Sequence, residues 1–165
     1  MNRPETTPDG TSPPLVYVRF RPVWAYIEGL REFGRFFCHL TFGESEVAER
    51  ARVVIQEALE NAVKYSEHDS DSDVELAISN LGNRLEISVT SRPDAVHIDR
   101  LRAEIAWING NSAEHAYLSA FRRTADSPEA AARLGLARIR YEGKAAISME
   151  VQEGGRVRVT AIGML

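Results

Sequence analysis

Apolar and polar residues alternate from Leu15 to Phe20, the period of a strand. Pro22 then suits the first turn of a helix. Val23, Ile27, Leu30, Gly34, Phe37 and Thr41 recur at spacings of three and four, with Tyr26, Phe33 and Leu40 widening the stripe, so the first helix is predicted over about 22–41. Trp24, Phe36 and Cys38 make it apolar nearly all round, which predicts a helix that is sandwiched or covers a partner surface. Ser45 is placed to cap a second helix over about 46–66, with Glu46 and Glu49 in its first turn and Val47, Ala51, Val54, Ala58, Ala62 and Tyr65 as its core face. The tract EHDSDSD ends it with residues that favour turns and solvent. Val74, Leu76 and Ile78 alternate, as do Leu85, Ile87 and Val89, with Leu81-Gly82-Asn83 between them, the pattern of an antiparallel hairpin.

From Ile98 the period is helical again, through Leu101, Ile105 and Ile108 to a stop at Asn109-Gly110-Asn111, and a further helix is predicted over about 112–124. Ser127-Pro128 resembles a cap and first turn, after which Ala131, Leu134, Ala137 and Tyr141 carry a helix to Gly143. Ile147, Met149 and Val151 alternate, Gly154-Gly155 turns the chain, and Val157, Val159 and Ala161 alternate in return. Strand, helix, helix, hairpin, helical insert, helix, hairpin is the order of an α+β two-layer sandwich, with helices on one face of a mixed, mostly antiparallel sheet. Residues 1–14 are rich in Pro, Thr, Ser, Gly and Asp without apolar period and are expected to form a disordered tail, leaving 15–165 as one domain.

Composition narrows the function classes. A net charge of -4 argues against broad nucleic-acid affinity, and the arginines at 122, 123, 133, 138 and 140 are expected to form a solvated helix face. Cys38 is the single cysteine, so neither an internal disulfide nor a thiolate metal cluster is available, which fits a cytoplasmic protein. The first fourteen residues lack the apolar core of a signal peptide, and no apolar run approaches the ~20 residues that span a bilayer. His39, His68, His97 and His115 have no ligand spacing and are expected to be surface or satisfied interior residues, and Trp24 and Trp107 to be core or interface anchors.

Glu57 and Asn61 lie four residues apart on the second helix and so share a face. A carboxylate there can accept a proton from a hydroxyl, and a carboxamide oxygen can ligate a hard cation such as Mg²⁺ that bridges phosphates. The same spacing also suits the solvated stripe of an amphipathic helix.

Glu57-x-x-x-Asn61-Ala62-x-x-Tyr65 resembles the N-box of the GHKL ATPases, the fold shared by histidine-kinase catalytic domains, type II topoisomerases and anti-sigma-factor kinases, and a glutamate in first place is closest to the anti-sigma serine-kinase branch. The element order resembles that fold over nearly the whole chain after residue 14, with the nucleotide lid in the helical insert, about 96–130, hinged at Asn109-Gly110-Asn111. The resemblance implies ATP and Mg²⁺ as cofactors, Glu57 as the catalytic residue and Asn61 as the metal ligand. It further implies Ser91 at the adenine-binding position, and Gly135 and Leu136 in the second glycine box.

Both glycine boxes depart from the family pattern. Ser91-Arg92-Pro93-Asp94-Ala95 stands where the family has Asp-x-Gly-x-Gly, and Arg133-Leu134-Gly135-Leu136 stands for Gly-x-Gly-Leu. Losing the aspartate alone is expected to weaken nucleotide binding by about 10- to 150-fold. Arg133 either obstructs the phosphate path or meets a phosphate. The resemblance implies a bacterial partner-switching regulator, either a serine/threonine kinase acting on a STAS-domain-type protein, with a sigma-factor-like target, or a nucleotide-free binding module of the same fold. The aromatic helix at 22–41 adds the possibility of a homodimer.

Overall fold

The computed structural model describes residues 13–66, 72–123 and 130–165. Most of the expected tail, the first five residues of the EHDSDSD tract and the Ser127-Pro128 cap lie outside the described residues. The elements are β1 (Val16–Phe20), α1 (Ala25–Phe42), α2 (Ser45–Tyr65), β2 (Val74–Asn80), β3 (Arg84–Ser91), α3 (Ala95–Asn109), α4 (Ala113–Arg123), α5 (Ala130–Tyr141), β4 (Ala145–Val151) and β5 (Val157–Met164), with a single 3-10 turn at Glu153–Gly155 before β5.

The five strands form one sheet in the order β1-β2-β3-β5-β4, and every pairing is antiparallel. Register follows the alternation in the sequence. Val18 pairs with Leu76, Leu76 with Val89, Val89 with Val159 and Val159 with Met149, so one face of the sheet is an apolar row from edge to edge. The opposite face carries Arg19, Glu75, Thr90, Arg158 and Glu150 in matching register. A one-residue slip would turn the apolar set to water, which is why the pattern fixes the pairing. The β2–β3 turn is closed by Gly82 at φ 84, its N–H donating to Asn80 Oδ1 at 2.9 Å.

The helices cover the apolar face, giving the two-layer α+β sandwich that the alternation predicts. α2 is its axis. Ile55, Leu59 and Val63 are fully buried along it, and it packs on α1, α5 and β3. Two glycines allow the close approach. A Cβ at Gly34 of α1 would overlap Ile55 Cδ1, and one at Gly143 would lie 2.5 Å from the Ile139 carbonyl oxygen and 2.7 Å from Val54 Cγ2.

Three element starts differ from the sequence reading, each for a local reason. α1 begins at Ala25, after turns in which Val23 N–H bonds the Arg21 carbonyl and Tyr26 N–H bonds that of Val23. Ser45 is already inside α2, with Glu44 in extended conformation at the cap position and no side-chain cap bond. α3 begins at Ala95 because the Asp94 carboxylate caps it, accepting from His97 N–H at 2.9 Å. Of the two settings expected for α1, only the partner surface is left open. Only Ile27, Gly34 and Cys38 of this helix are buried, so it is not sandwiched, and its aromatic stripe faces outward.

Gly143→Ala is expected to destabilise the fold by about 1–3 kcal/mol, because the new methyl meets a backbone carbonyl that cannot step aside. Urea unfolding reads this directly. An unchanged midpoint would mean that the α2–α5 approach is looser than described.

Candidate functional site

The α2 stripe that begins at Glu57 faces two different environments. Ala58, Asn61, Ala62 and Tyr65 line a cleft of about 610 Å³, its open mouth included, whose far walls are Ser91 of β3, Pro93, the His97–Glu104 face of α3, and Leu136 of α5. The walls are mostly apolar, with Val89, Val157, Val159 and Leu101 completing them, and the polar groups are few. Asn61, Ser91 and Leu136, three of the five site positions read from the sequence, therefore share one cavity.

Glu57 stands one turn before Asn61 and is only 7% exposed. Its carboxylate is paired with Arg138 of α5, whose Nε and Nη2 also donate to Glu142 at 2.9 and 3.0 Å. Burial pushes the Glu57 carboxyl up to about 7. Arg138 opposes that rise, and the nearby Glu60 and Glu142 charges add to it. The Glu142 carboxyl is held below its usual range, chiefly by its hydrogen bonds from Arg138. Gly135 makes this arrangement possible, since a Cβ there would lie 2.6 Å from Glu57 Oε2 and 3.5 Å from Asn61 Nδ2. The fifth site position is thus a spacer between α5 and the two polar residues of α2.

The segment replacing the first glycine box has its own structure. Pro93 forms an isolated antiparallel bridge with Ser66, whose hydroxyl donates to the Ala62 carbonyl at 2.6 Å, and this ties the end of α2 to the start of α3. Asp94 Oδ2 lies 2.7 Å from His97 Nδ1, and the bonds from His97 hold the Asp94 carboxyl below the usual carboxylate range. The His97 ring packs on Tyr65 with centroids 4.5 Å apart, at the cleft wall.

Arg133 is drawn to α3. Its guanidinium lies 5.3 Å from the centre of the Trp107 ring, and Nη2 is 3.7 Å from Oε1 of the buried Glu104, which Arg100 Nε approaches at 3.4 Å. Arg140 donates to the carbonyls of Ile108 at 2.5 Å and Asn111 at 3.2 Å. The expected solvated arginine face therefore holds only for Arg122 and Arg123. Arg133, Arg138 and Arg140 are half-buried cross-links, because α3, α2 and the turn after α3 supply them with acceptors.

The Asn109-Gly110-Asn111 stop, the expected hinge, is anchored by side-chain hydrogen bonds. Asn109 Nδ2 bonds the Ile147 carbonyl at 2.9 Å and Asn111 Nδ2 that of Trp107 at 2.7 Å, so with Arg140 the stop is tied to β4 and α5. His97, placed with the unremarkable histidines, lines the cleft instead, together with Arg100 and Glu104. Their spacing of three and four after the Asp94 cap was the available signal. His39 and His115 are exposed, and His68 lies outside the described residues.

The cleft fits the base and the metal of a nucleotide cofactor unequally. Its apolar walls and the Ser91 hydroxyl suit a flat heterocycle with polar edges. Asn61 and Glu104 both line the cleft with side-chain oxygens that suit Mg²⁺, Glu104 being already approached by Arg100 and Arg133, and among the described residues no three His, Cys, Asp or Glu side chains converge on a metal position. Mg²⁺ commonly takes one or two protein ligands, with phosphates and waters supplying the rest, so a single ligand is compatible with Mg²⁺ delivered on a nucleotide.

No family model matches the chain, and no curated protein matches it. Among solved structures it is similar to a chain in the crystal structure of the SiaB-SiaC complex from Pseudomonas aeruginosa, with 19% sequence identity, a TM-score of 0.67, and coverage of 92% of this chain and 91% of that one. The likeness is one of fold, over nearly the full length of both chains. Among the described residues no helix is long and apolar enough to cross a membrane.

The raised Glu57 pKa gives a signed prediction. Below its ordinary value of 4.5 the group is protonated in both folded and unfolded chains. Between 4.5 and about 7 only the folded chain keeps the proton, so stability falls as pH rises through that window. Wild type is expected to lose on the order of 2–3 kcal/mol across it relative to Glu57→Gln, which has nothing to titrate there. Parallel stability profiles for the two proteins would contradict the burial argument. Gly135→Ala, ordinarily stabilising inside a helix by about 0.5–1 kcal/mol, is expected to destabilise this one and to flatten the same profile, by displacing the Glu57 carboxylate. Denaturant titrations at pH 5 and pH 8 read both variants.

Proposed function

We propose that this chain is a signalling regulator of the partner-switching type, that its cleft takes ATP with Mg²⁺, and that it phosphorylates a serine or threonine hydroxyl of a STAS-type partner protein. The observation that carries this reading is convergence. Asn61, Ser91 and Leu136, which resemblance to the GHKL ATPases assigns to the nucleotide, come from α2, β3 and α5 and line one cleft. Glu57 stands behind them against Gly135. The neighbouring fold was crystallised as a SiaB-SiaC complex, which supports a protein as the partner.

In this reading the Asn61 carboxamide oxygen holds the metal, and the Ser91 hydroxyl, with the apolar walls, holds and orients the base. ATP, when bound, supplies the phosphoryl group. Glu57 accepts the proton of the attacking hydroxyl. A carboxylate with pKa near 7 is well matched to that task at neutral pH, being basic enough to take the proton and still largely able to ionise. Its pairing with Arg138 has to be exchanged first, and Glu142, which already accepts two bonds from Arg138, keeps that cation satisfied when Glu57 lets go.

A second reading, a nucleotide-free module that only binds its partner, is favoured by specific features. Pro93 is committed to the bridge with Ser66 and Arg133 to Trp107 and Glu104, so neither of these replacements for box glycines is left to meet a phosphate, and Glu57 is already paired with Arg138.

Calorimetric titration with ATP and ADP, each with and without Mg²⁺, separates the two. The kinase reading predicts saturable, Mg²⁺-dependent binding that Asn61→Ala weakens by about tenfold or more, a loss of roughly 1.4 kcal/mol. It also predicts that Glu57→Gln binds nucleotide but fails to transfer phosphate to the partner. No heat of binding up to millimolar nucleotide would leave the binding module as the function.

A further inference from the structure

The first turn of α3 puts a histidine into the cleft wall, and its surroundings fix the state of the ring. His97 lines the cavity with Tyr65, Ser91 and Pro93, at the end of α2 that the Ser66–Pro93 bridge ties down. Asp94 Oδ2 lies 2.7 Å from Nδ1, and a carboxylate so close keeps the ring proton on that nitrogen. Nε2, across the ring, is then an acceptor without a proton of its own. Asp94 is itself anchored, since its other oxygen accepts from His97 N–H at 2.9 Å. The ring plane is held by the Tyr65 ring, with centroids 4.5 Å apart and an interplanar angle of 37°.

We propose that His97 selects the base of the bound nucleotide, its Nε2 accepting a hydrogen from the 6-amino group of adenine. This rests on the nucleotide reading of the cleft. The other polar groups on the walls leave the part to His97. Glu104 is already approached by Arg100 and Arg133, and Asn61 stands a turn away along α2, against Gly135. Ser91 adds a hydroxyl, which can donate or accept. Adenine presents an amino donor beside a ring-nitrogen acceptor, so His97 accepting and Ser91 donating satisfy both.

Guanine reverses that edge, with a carbonyl oxygen in place of the amino group and an N–H in place of the ring acceptor. Ser91 can turn its hydroxyl to suit either base. His97 cannot, because Asp94 holds its proton on the far nitrogen, and two lone pairs would then meet between apolar walls. An acceptor left unpaired in such a setting loses more than the bond it fails to make. The discrimination between 6-amino and 6-oxo purines therefore lies with the Asp94–His97 pair.

Calorimetric titration of the full chain with the Mg²⁺ complexes of ATP, GTP and purine riboside triphosphate, which lacks the 6-amino group, tests it. Wild type is expected to bind ATP about tenfold or more tightly than GTP, and several-fold more tightly than the purine analogue. His97→Phe keeps a ring against Tyr65 and removes the acceptor, so it is expected to lower ATP to the level of the analogue and leave the analogue unchanged. Asp94→Asn keeps the helix cap, but its amide N–H₂ donates to Nδ1 and moves the ring proton to Nε2. It is expected to shift the preference toward GTP. Wild type binding GTP as tightly as ATP, or His97→Phe weakening ATP and the analogue alike, would overturn the proposal and leave the nucleotide reading standing. No binding of any of the three would remove both.

Discussion

The carboxylate of Glu57 sits inside the most buried helix of the fold, and the arrangement of α2 and α5 answers to it. Withdrawing an ion from water costs several kcal/mol even after the surroundings relax, and a buried pair seldom returns more than that. Arg138 reaches across from α5 to meet the charge, Glu142 holds Arg138 in place, and Gly135 leaves the gap in which the carboxylate fits. An apolar residue at position 57 would pack between the same helices without this cost. That a glutamate stands there, in a setting that brings its pKa close to neutrality, is physical reason to read it as a working group.

The cleft depends on that packing and on a second, polar set of ties. α2 and α5 are joined through side chains that leave no room for a methyl at Gly135, and this fixes Asn61 and Leu136 on facing walls. α3 closes the opposite side with few buried apolar contacts of its own, Ile105 and Ile108 being the buried aliphatic residues along it. Its position over the cleft is held instead by Arg140 on the Ile108 and Asn111 carbonyls, by Asn109 on Ile147, by Arg133 over Trp107 and by the Ser66–Pro93 bridge. Hydrogen bonds of this kind contribute about 0.5–1.5 kcal/mol each, so several together hold the helix where any one alone would not.

The sheet was legible because its signal is local. Alternation at Val74, Leu76 and Ile78, and again at Leu85, Ile87 and Val89, states both the strands and the face that is buried, and the register follows from it. The axis of the helical layer was legible for the same reason, in the spacing of Val47, Ala51, Val54 and Ala58. The convergence of Asn61, Ser91 and Leu136 could be read only through resemblance, since they belong to elements far apart in the chain. The arginines were misread because their fate is decided at a distance. Arg138 and Glu57 are 81 residues apart, and nothing near either one announces the other. α1 was legible only as a pair of alternatives, because apolar periodicity states that a helix seeks a partner surface and not whether the same chain supplies it. Asp94 escaped notice as a cap because apolar periodicity becomes visible only at Ile98, a full turn after the helix has begun.

The account stands or falls on whether the space between α2, α3 and α5 receives a nucleotide. Amide hydrogen exchange with and without ATP and Mg²⁺ asks this of the backbone itself, residue by residue. The predicted result is slowed exchange along α2 from Ala58 to Tyr65 and along α3 from His97 to Glu104, with β1 and α1 unchanged. Unchanged exchange in both cleft walls at saturating nucleotide, or protection confined to another face, would contradict it.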